Sequence, residues 1–323
     1  MNSIAVKAYA KINIGLDVIR KRPDGYHDIK TIMQTVDLYD TVSIKKTKFQ
    51  SVTVRSNLNY LPTDQRNLAF KAVQLFRELF TIKDGLSIYL NKRIPVSAGL
   101  AGGSADAAAT LKGLNQLYQI GLSLEELMAI GVKLGADVPF CLLMGTALAE
   151  GIGENLKPLP PLPDCFILLV KPDINVSTKY VYENLRLNEG ERHPDIDAML
   201  EALNERNLYK LAPLIDNIME TVTAGEYPVI NEIKEKLNEY LGFEIGSPTN
   251  VRKTREILMC IWSYENEYTE KLRPTALELI KKYPDYALEI HWSMMLAAYP
   301  VFMDMCKLIG KMSEFQDEIT LAQ

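Results

Sequence analysis

A glycine-rich loop that runs into a helix is the segment of this sequence best suited to bind phosphate. Residues 95–107 read PVSAGLAGGSADA, so few large side chains precede the helical pattern. Glycines let a backbone wrap closely around a phosphate, and the first N–H groups of a helix attract an anion. The candidate phosphate-binding residues are Pro95, Gly99, Leu100, Ala101, Gly102, Gly103 and Ser104. The alternative is an ordinary loop with Ser104 as a helix cap; the segment matches neither a Walker loop nor a dinucleotide fingerprint.

Lys11, Asn13 and Asp137 are candidates for acid–base chemistry or substrate positioning. Apolar and polar residues alternate over residues 4–18, which predicts a half-buried strand with Lys11 and Asn13 on its polar face. Asp137 lies in the apolar segment GADVPF, just past a predicted helix, where a carboxylate in a cleft could act as a base. Each residue also has a plainer interpretation: two solvated strand residues, and a loop aspartate that accepts backbone hydrogen bonds.

The segment Asp24-Gly25-Tyr26-His27 combines a turn signal with two aromatic side chains. His27 could hydrogen-bond a nucleobase while Tyr26 stacks on it. A purely structural turn is the alternative. The segment at 150–154, EGIGE, has the composition of a polar hairpin or turn.

These candidates must be positioned by a mixed set of strands and helices. The strands are predicted at residues 4–18, 41–45, 51–55, 86–90 and 165–171. The helices are predicted at residues 67–80, 104–118, 197–204, 208–222 and 228–240, with one more opened by a capping box at 123–126. This alternation predicts an α+β or α/β protein. A proline-rich connector at 158–163 predicts a second domain, and beyond residue 241 only helical patterns follow, at 252–264, 274–283, 286–298 and 301–315.

Composition limits the classes of function that are open to the chain. Its 323 residues are 47% hydrophobic and carry a net charge of −5, which argues against broad nucleic-acid binding but not against a local anion site. Its four cysteines are far apart, as in a reduced cytoplasmic protein. No apolar stretch is long enough to span a bilayer.

The order and spacing of these motifs resemble the diphosphocytidyl-methylerythritol kinase family of the GHMP kinases. The resemblance covers roughly residues 1–240. It rests on the segments at 10–13 (AKIN), 22–27 (RPDGYH), 94–109 (IPVSAGLAGGSADAAA), 135–140 (GADVPF), 151–154 (GIGE) and 172–178 (PDINVST). The Asp-Gly-Tyr-His element distinguishes this family from other GHMP kinases.

The resemblance implies a fold and a reaction. The fold would be α+β, with an N-terminal domain like ribosomal protein S5 domain 2 at 1–157 and a GHMP C-terminal domain, incomplete here, at 158–240. The helical patterns of the sequence itself predict an all-α segment at 241–323. The reaction would use ATP and Mg²⁺ to phosphorylate the C2 hydroxyl of 4-diphosphocytidyl-2-C-methyl-D-erythritol, a step of isoprenoid precursor synthesis.

The resemblance also implies a role for each candidate residue. Asp137 would take the proton of the hydroxyl, Lys11 would orient that hydroxyl and stabilise developing charge, and Asn13 would position the substrate. The glycine-rich loop would bind the phosphates of ATP. His27 would hydrogen-bond the cytosine, with Tyr26 stacked on one face and Tyr182 on the other, although Tyr180 is a second candidate for the latter position.

One family motif is missing from the sequence, and this leaves a second hypothesis open. The family has a third glycine-rich motif, close to Ser-Gly-Ser-Gly-Pro, where this chain has only Gly246-Ser247-Pro248. The alternative is therefore an impaired or inactive kinase-like scaffold with a helical interaction module. Either way, the expected partner is a small molecule, without nucleic acid or membrane, and the expected state is a cytoplasmic monomer or weak homodimer.

Overall fold

Two long strands at the start of the chain form the centre of the main sheet. A computed structural model describes residues 2–172, 174, 176–187, 193–241 and 257–259. Strand β1 (Ser3–Lys21) and strand β2 (His27–Thr47) pair antiparallel from Ser3↔Lys45 to Lys21↔His27. The register is irregular between Tyr9 and Lys11 and between Asn13 and Gly15. Such irregularities change the direction in which a strand points its side chains, and here they flank Lys11 and Asn13.

Seven further strands follow in the described residues, and five of them extend this sheet. They are β3 (Val52–Ser56), β4 (Gly85–Asn91), β5 (Thr146–Gly151), β6 (Asn155–Pro158), β7 (Phe166–Leu168), β8 (Asp216–Asn217) and β9 (Ile257–Met259). The main path has the order β3-β4-β2-β1-β8, while β5 pairs with β2 and with β6. Strands β7 and β9 form a separate parallel pair. The sheet thus includes β8, which comes from the second half of the chain.

The helices cover the main sheet and build the second half. They are α1 (Leu68–Phe80), α2 (Gly102–Tyr118), α3 (Leu124–Gly131), α4 (Val138–Leu143), α5 (Thr178–Asn184), α6 (Ile196–Asn204), α7 (Leu208–Leu211), α8 (Glu220–Glu226) and α9 (Val229–Leu241). Helix α2 packs on β1 and β2, and its Gly113 lies so close to Ile44 that an added Cβ would stand 2.7 Å from Ile44 Cδ1. None of the helices in the described ranges is long and apolar enough to cross a membrane.

The second half of the chain covers the face of β1 that the alternating pattern assigned to solvent. From residue 10 to residue 18 every residue of β1 is buried except Asn13, which is partly buried. Helix α6 packs there, and a Cβ on Gly15 would lie 2.3 Å from Met199 Sδ. His193 Nδ1 lies 2.7 Å from Asp17 Oδ1 on the same strand. The prediction of a half-buried strand is therefore wrong for this stretch, because a distant segment covers its polar face.

Several predicted elements are confirmed, whereas the helices predicted at 208–222 and 252–264 are wrong in whole or in part. Helices α1, α2, α6 and α9 lie where they are predicted, and Ser123 and Glu126 form the expected capping box of α3. The hairpin predicted at 150–154 joins β5 to β6. The helix predicted at 208–222 is wrong: Pro213 lacks an N–H donor, α7 ends at Leu211, and a 3-10 turn, β8 and α8 follow.

The helix predicted at 252–264 is wrong at Ile257–Met259, which forms β9 beside β7. A short apolar run of this kind fits a strand or a helix equally well, so its periodicity could not decide. The other helices predicted beyond residue 260 and the segment Gly246-Ser247-Pro248 lie outside the described residues.

Candidate active site

The glycine-rich loop leaves the first N–H groups of α2 without a capping side chain. Ala101 precedes the helix in a left-handed conformation, with φ 56°, and makes no side-chain cap. Ser97 and Gly99 also have positive φ values, of 56° and 72°. Ser104 is the third residue of α2, so its alternative role as the helix cap is wrong. The free N–H groups and the positive end of the helix dipole suit this loop to bind an anion.

Lys11 connects this loop to the centre of the main sheet. Its backbone N–H donates to the carbonyl oxygen of Leu100 at 3.1 Å. Its ammonium donates to Asn13 Oδ1 at 2.8 Å and lies 3.8 Å from Asp137 Oδ2. The Lys11 side chain is only 8% exposed. The solvated-lysine interpretation is therefore wrong, and Lys11 joins the loop, Asn13 and Asp137 in one site.

Asn13 has a fixed orientation because both ends of its amide are bound. Its Oδ1 accepts from Lys11, and its Nδ2 donates to Thr31 Oγ1 at 2.7 Å. Thr31 is buried and its hydroxyl donates to the carbonyl oxygen of Gly15 at 2.6 Å. Sequence reasoning missed Thr31, because no strand was predicted over residues 27–40. The threonine makes Asn13 a rigid partner for the ammonium of Lys11.

Asp137 presents its carboxylate to the site and does not use it to cap a helix. The residue immediately precedes α4, yet its side chain makes no capping bond. Its side chain is 35% exposed, which leaves it accessible to a substrate. A Cβ on the neighbouring Gly135 would lie 4.0 Å from Ser104 Oγ, so the Asp137 turn adjoins the first turn of α2. The carboxylate of Asp137, the ammonium of Lys11 and the glycine-rich loop thus meet at one place.

The Asp-Gly-Tyr-His segment forms a tight turn between β1 and β2. Arg22 Nη2 donates to Asp24 Oδ2 at 2.7 Å, and Asp24 Oδ1 accepts the N–H of Tyr26 at 3.1 Å. The Arg22 guanidinium holds the pKa of Asp24 below its usual value. Gly25 has φ 87°, a conformation that favours glycine. The ring of Tyr26 is 60% exposed at the tip of this turn.

His27 and Tyr182 stack on each other beside this turn. Their ring centroids are 4.8 Å apart, with an angle of 19° between the planes. Burial and the nearby charge of Lys21 lower the pKa of His27. Burial, with a smaller contribution from the negative charge of Asp137, raises the pKa of Tyr182 to about 12. Tyr180 instead points its hydroxyl at Glu226, at 3.1 Å, so Tyr182 is the tyrosine beside His27.

A cavity of about 160 Å³ lies against the glycine-rich loop. Its walls include Ser97, Gly102 and Gly103 from the loop and Asn67 and Leu68 from the start of α1. The cavity is thus bordered by the glycine-rich loop, by the start of α1 and by the charged residues Arg66, Lys92 and Asp106. Within the described ranges, no group of three or more His, Cys, Asp and Glu side chains is placed to hold a metal ion.

Comparison with known proteins agrees with this geometry. The model for the N-terminal domain of GHMP kinases matches residues 67–145. The chain is 56% identical over 237 residues to the 4-diphosphocytidyl-2-C-methyl-D-erythritol kinase of Lachnoclostridium phytofermentans, covering 73% of this chain and 81% of that protein. It is 51% identical over 230 residues to the kinase of the same name from Caldicellulosiruptor bescii, covering 71% and 80%.

A solved structure extends this likeness to the fold. The crystal structure of a 4-(cytidine 5'-diphospho)-2C-methyl-D-erythritol kinase matches with a TM-score of 0.60 and 34% identity, covering 74% of this chain and 84% of that one. The family resemblance and the predicted GHMP kinase fold are thereby confirmed, and the inactive scaffold is not favoured. With relatives this similar over more than two thirds of its length, the chain belongs to the 4-diphosphocytidyl-2-C-methyl-D-erythritol kinase family of the GHMP kinases.

Proposed function

We propose that this protein transfers the γ-phosphate of ATP to the C2 hydroxyl of 4-diphosphocytidyl-2-C-methyl-D-erythritol. The names of its relatives support this substrate, and its own site supports the chemistry. The site would lie between an N-terminal domain at 1–157 and a second domain at 158–240. The partner is this small molecule, and the protein would act as a monomer or weak homodimer.

The observation that carries the proposal is the meeting of Lys11, Asp137 and the phosphate loop. The ammonium of Lys11 lies 3.8 Å from Asp137 Oδ2, while its backbone N–H holds the loop at Leu100. Asp137 would accept the proton of the substrate hydroxyl as that oxygen attacks the γ-phosphorus. Lys11 would orient the hydroxyl and stabilise the charge that develops on it. Asn13 would fix the ammonium for this task and position the substrate.

The loop and the start of α2 would bind the phosphates of ATP. The uncapped N–H groups of Gly102, Gly103 and Ser104 would donate to the phosphate oxygens, with Pro95 and Ala101 shaping the loop. Phosphoryl transfer depends mostly on such positioning and charge stabilisation. When bound, Mg²⁺ would neutralise phosphate charge. We assign the ion to the phosphates, which are its usual ligands in kinases, and to no side chain of this chain.

His27, Tyr26 and Tyr182 would recognise the cytosine. Because its pKa is lowered, His27 is neutral at pH 7 and offers one donor and one acceptor. The edge of a cytosine offers both kinds of group in return. Tyr182, which the sequence predicted on the second face of the base, stacks on His27 and would instead fix the plane of the histidine ring. The exposed ring of Tyr26 is free to close over the base once it is bound.

An assay of ADP release tests the proposal. The wild-type protein is given Mg-ATP and the cytidine diphosphate substrate, beside the variants Asp137→Asn and Asp84→Asn. Asp84 is an exposed acid outside the site, bound to the hydroxyl of Tyr118. We expect Asp137→Asn to reduce turnover by about 10²–10⁴-fold with nearly unchanged ATP binding, since this is the usual contribution of base catalysis.

Two results would contradict this assignment. Turnover by Asp137→Asn at the wild-type rate would remove Asp137 as the base. Binding of ATP without turnover by the folded wild-type protein would favour the inactive scaffold instead.

A further inference from the structure

Three buried charged residues lie directly beneath the phosphate loop, and the proposed reaction does not use them. Asp40 belongs to β2, Lys92 follows β4, and Asp106 lies in the second turn of α2. Their side chains are 0%, 3% and 4% exposed. The ammonium of Lys92 donates to Asp106 Oδ2 at 2.6 Å and also to Asp40 Oδ2. We refer to Asp40, Lys92 and Asp106 as the buried triad.

The buried triad holds the loop where it begins and where it ends. Asp40 Oδ1 accepts the N–H of Ile94 at 2.8 Å and also the N–H of Arg93, which fixes the chain as it enters the loop. At the exit, a Cβ on Gly102 would stand 3.3 Å from Lys92 Nζ. The ammonium therefore lies immediately under the first residue of α2. The salt bridge from Lys92 to Asp106 ties this ammonium to the helix itself.

The two acids of the triad differ in one respect that concerns the nucleotide. Both oxygens of Asp40 accept hydrogen bonds, whereas Asp106 Oδ1 has no hydrogen-bond partner although it is buried. Asp106 also lines the cavity beside the loop, together with Ser97, Gly102 and Gly103. A carboxylate with one unsatisfied oxygen thus borders the space in which phosphates would bind. An unpartnered buried polar atom of this kind is costly, so it calls for a functional explanation.

We propose that Asp106 is a positioning residue that braces the phosphate loop through Lys92 and takes up a proton when the phosphates of ATP enter the cavity. This inference rests on the proposed nucleotide site. Two carboxylates share one ammonium in the triad, so its net charge is negative when both are ionised. Phosphates bring further negative charge close to Asp106, which favours its neutral form. Protonation of Asp106 then removes the repulsion between its carboxylate and the phosphates. It also gives Asp106 an O–H group that can donate a hydrogen bond.

The charges around Asp106 are consistent with a proton taken up near neutral pH. Burial raises the pKa of Asp106 to about 7, against the attraction of Lys92 and with the help of Asp40. Cys141, from α4, stays protonated because burial raises the pKa of its thiol to about 12. Arg66, ahead of α1, is paired with the exposed Asp64 and keeps its charge throughout this range. Asp106 is therefore the group of this set that titrates between pH 6 and 8.

The direction in which ATP affinity changes with pH follows from proton linkage. The pKa of Asp106 is raised in the free protein and raised further by ATP, so binding takes up a proton and weakens as pH rises through this range. If bound phosphates raise the pKa by about one unit, uptake at pH 7.5 is about half a proton per ATP, and affinity falls by about sixfold between pH 6.5 and 8.5.

Calorimetric titration with Mg-ATP, without the second substrate, measures this proton directly. The binding heat is recorded at pH 7.5 in buffers of different ionisation enthalpy, and its slope against that enthalpy gives the protons taken up. We expect about half a proton for the wild type and close to none for Asp106→Asn, which cannot ionise. Asp64→Asn is the matched control: the pKa of Asp64 is lowered to about 2 by Arg66, so this variant should keep the wild-type uptake.

The bracing role is tested with a second pair of variants. Asp106→Asn retains an oxygen that can accept from Lys92, whereas Asp106→Leu has a similar volume and no acceptor. We expect ATP affinity at pH 7 to stay within about threefold for Asn and to fall at least about tenfold for Leu, since breaking a buried charge pair strands its partner. The loss should appear in KM for ATP more than in kcat. Equal ATP affinity of the two variants would overturn the bracing role.

The outcomes separate this inference from the function on which it rests. ATP binding without proton uptake in the wild type would overturn the inference and leave the kinase site intact, whether or not any variant folds. Uptake that persists in a folded Asp106→Asn variant would assign the proton to another group and also overturn it. Failure of the wild-type protein to bind ATP would refute the nucleotide site itself, and the inference with it.

Discussion

Single side chains in this site are held by partners that leave little freedom. Asn13 accepts from Lys11 and donates to Thr31, so its amide cannot turn without breaking a buried bond. The ammonium of Lys11 is thereby held on the side of Asp137. Such preorganisation is what charge stabilisation in a transition state requires. The residues proposed to act on the substrate, Lys11 and Asp137, therefore depend on Asn13 and Thr31 for their position.

Replacement of Tyr182 and of Tyr180 by leucine compares two tyrosines of one helix. Tyr182→Leu removes the ring that stacks on His27, so we expect KM for the cytidine substrate to rise about tenfold while KM for ATP is unchanged. Tyr180→Leu loses only a surface bond to Glu226 and serves as the control. Steady-state kinetics with each substrate varied in turn makes the comparison. Equal effects of the two changes would remove Tyr182 from the site.

At the scale of single residues, sequence patterns identify the residues that belong to a motif. They do not identify the residues that hold those motif residues in position. Lys11, Asp137 and the loop residues are found from local patterns, and the structure brings them together. Thr31 and Asp40 have no such pattern, since each lies in a part of β2 that was not predicted as a strand. Their importance comes from partners far away in the chain, which periodicity cannot reveal.

Among the helices described, α2 begins with a strained residue and without a capping side chain. Ala101 holds a left-handed conformation without the freedom of glycine, which costs of order 1 kcal/mol, and no side chain caps the helix. The surrounding contacts must compensate for this strain. The buried triad and the backbone bond from Lys11 to Leu100 are the contacts that hold the loop in this shape.

Alanine substitutions at the first two residues of α2 should differ in their effect on stability. A Cβ at Gly102 would lie 3.1 Å from Ile94 Cγ2 and 3.3 Å from Lys92 Nζ, so we expect Gly102→Ala to lower the unfolding free energy by about 1–3 kcal/mol. A Cβ at Gly103 meets Leu68 Cδ1 at an ordinary 3.6 Å. Gly103→Ala should therefore leave stability unchanged or raise it, by up to about 1 kcal/mol from helix propensity.

Urea unfolding of both variants measures this difference. If Gly102→Ala were as stable as Gly103→Ala, Ile94 and Lys92 would be able to move away from the new Cβ at little cost. That result would contradict a rigid support of the loop by the buried triad.

Helices with strong local signals were predicted well, whereas short elements were not. Helices α1 and α2 have a clear apolar face or a glycine-rich start, and both form where expected. Strand β8 has two residues, and among the described strands it pairs with β1. No local pattern can indicate an element of this kind, and the periodicity of its neighbours led to a helix being predicted instead.

At the scale of the whole molecule, the second half of the chain packs on and pairs with β1, the strand that carries Lys11 and Asn13. Helix α6 packs against β1 at Gly15, and Lys30 of β2 forms a salt bridge with Asp197 at 2.7 Å. Tyr182 comes from the same half. The site therefore requires both halves, although most of its recognisable motifs lie in the first.

Substitution of Gly15 tests how closely the halves must approach. A Cβ there would stand 2.3 Å from Met199 Sδ and 2.8 Å from Ile196 Cδ1, so we expect Gly15→Ala to lower the unfolding free energy by about 1–3 kcal/mol. Gly225→Ala, in α8 with no atom within 4 Å of the new Cβ, is the matched control. Thermal unfolding of both variants gives the comparison. Equal stability would mean that α6 can move away from β1 at little cost.

The parallel pairing of β1 with β8 joins residues 15–16 to residues 216–217, so one of the two segments is synthesised long after the other. Until residues 216–217 have been synthesised, the edge of β1 at Gly15 and Leu16 exposes unpaired backbone groups that another chain could bind. Strands β2 to β6 can pair before then, because domains fold from the N-terminus during synthesis. The nascent chain thus holds a nearly formed sheet with an open edge next to Lys11 and Asn13. This edge closes only when residues 216–217 pair with it, so the strand that carries Lys11 and Asn13 is completed late in synthesis.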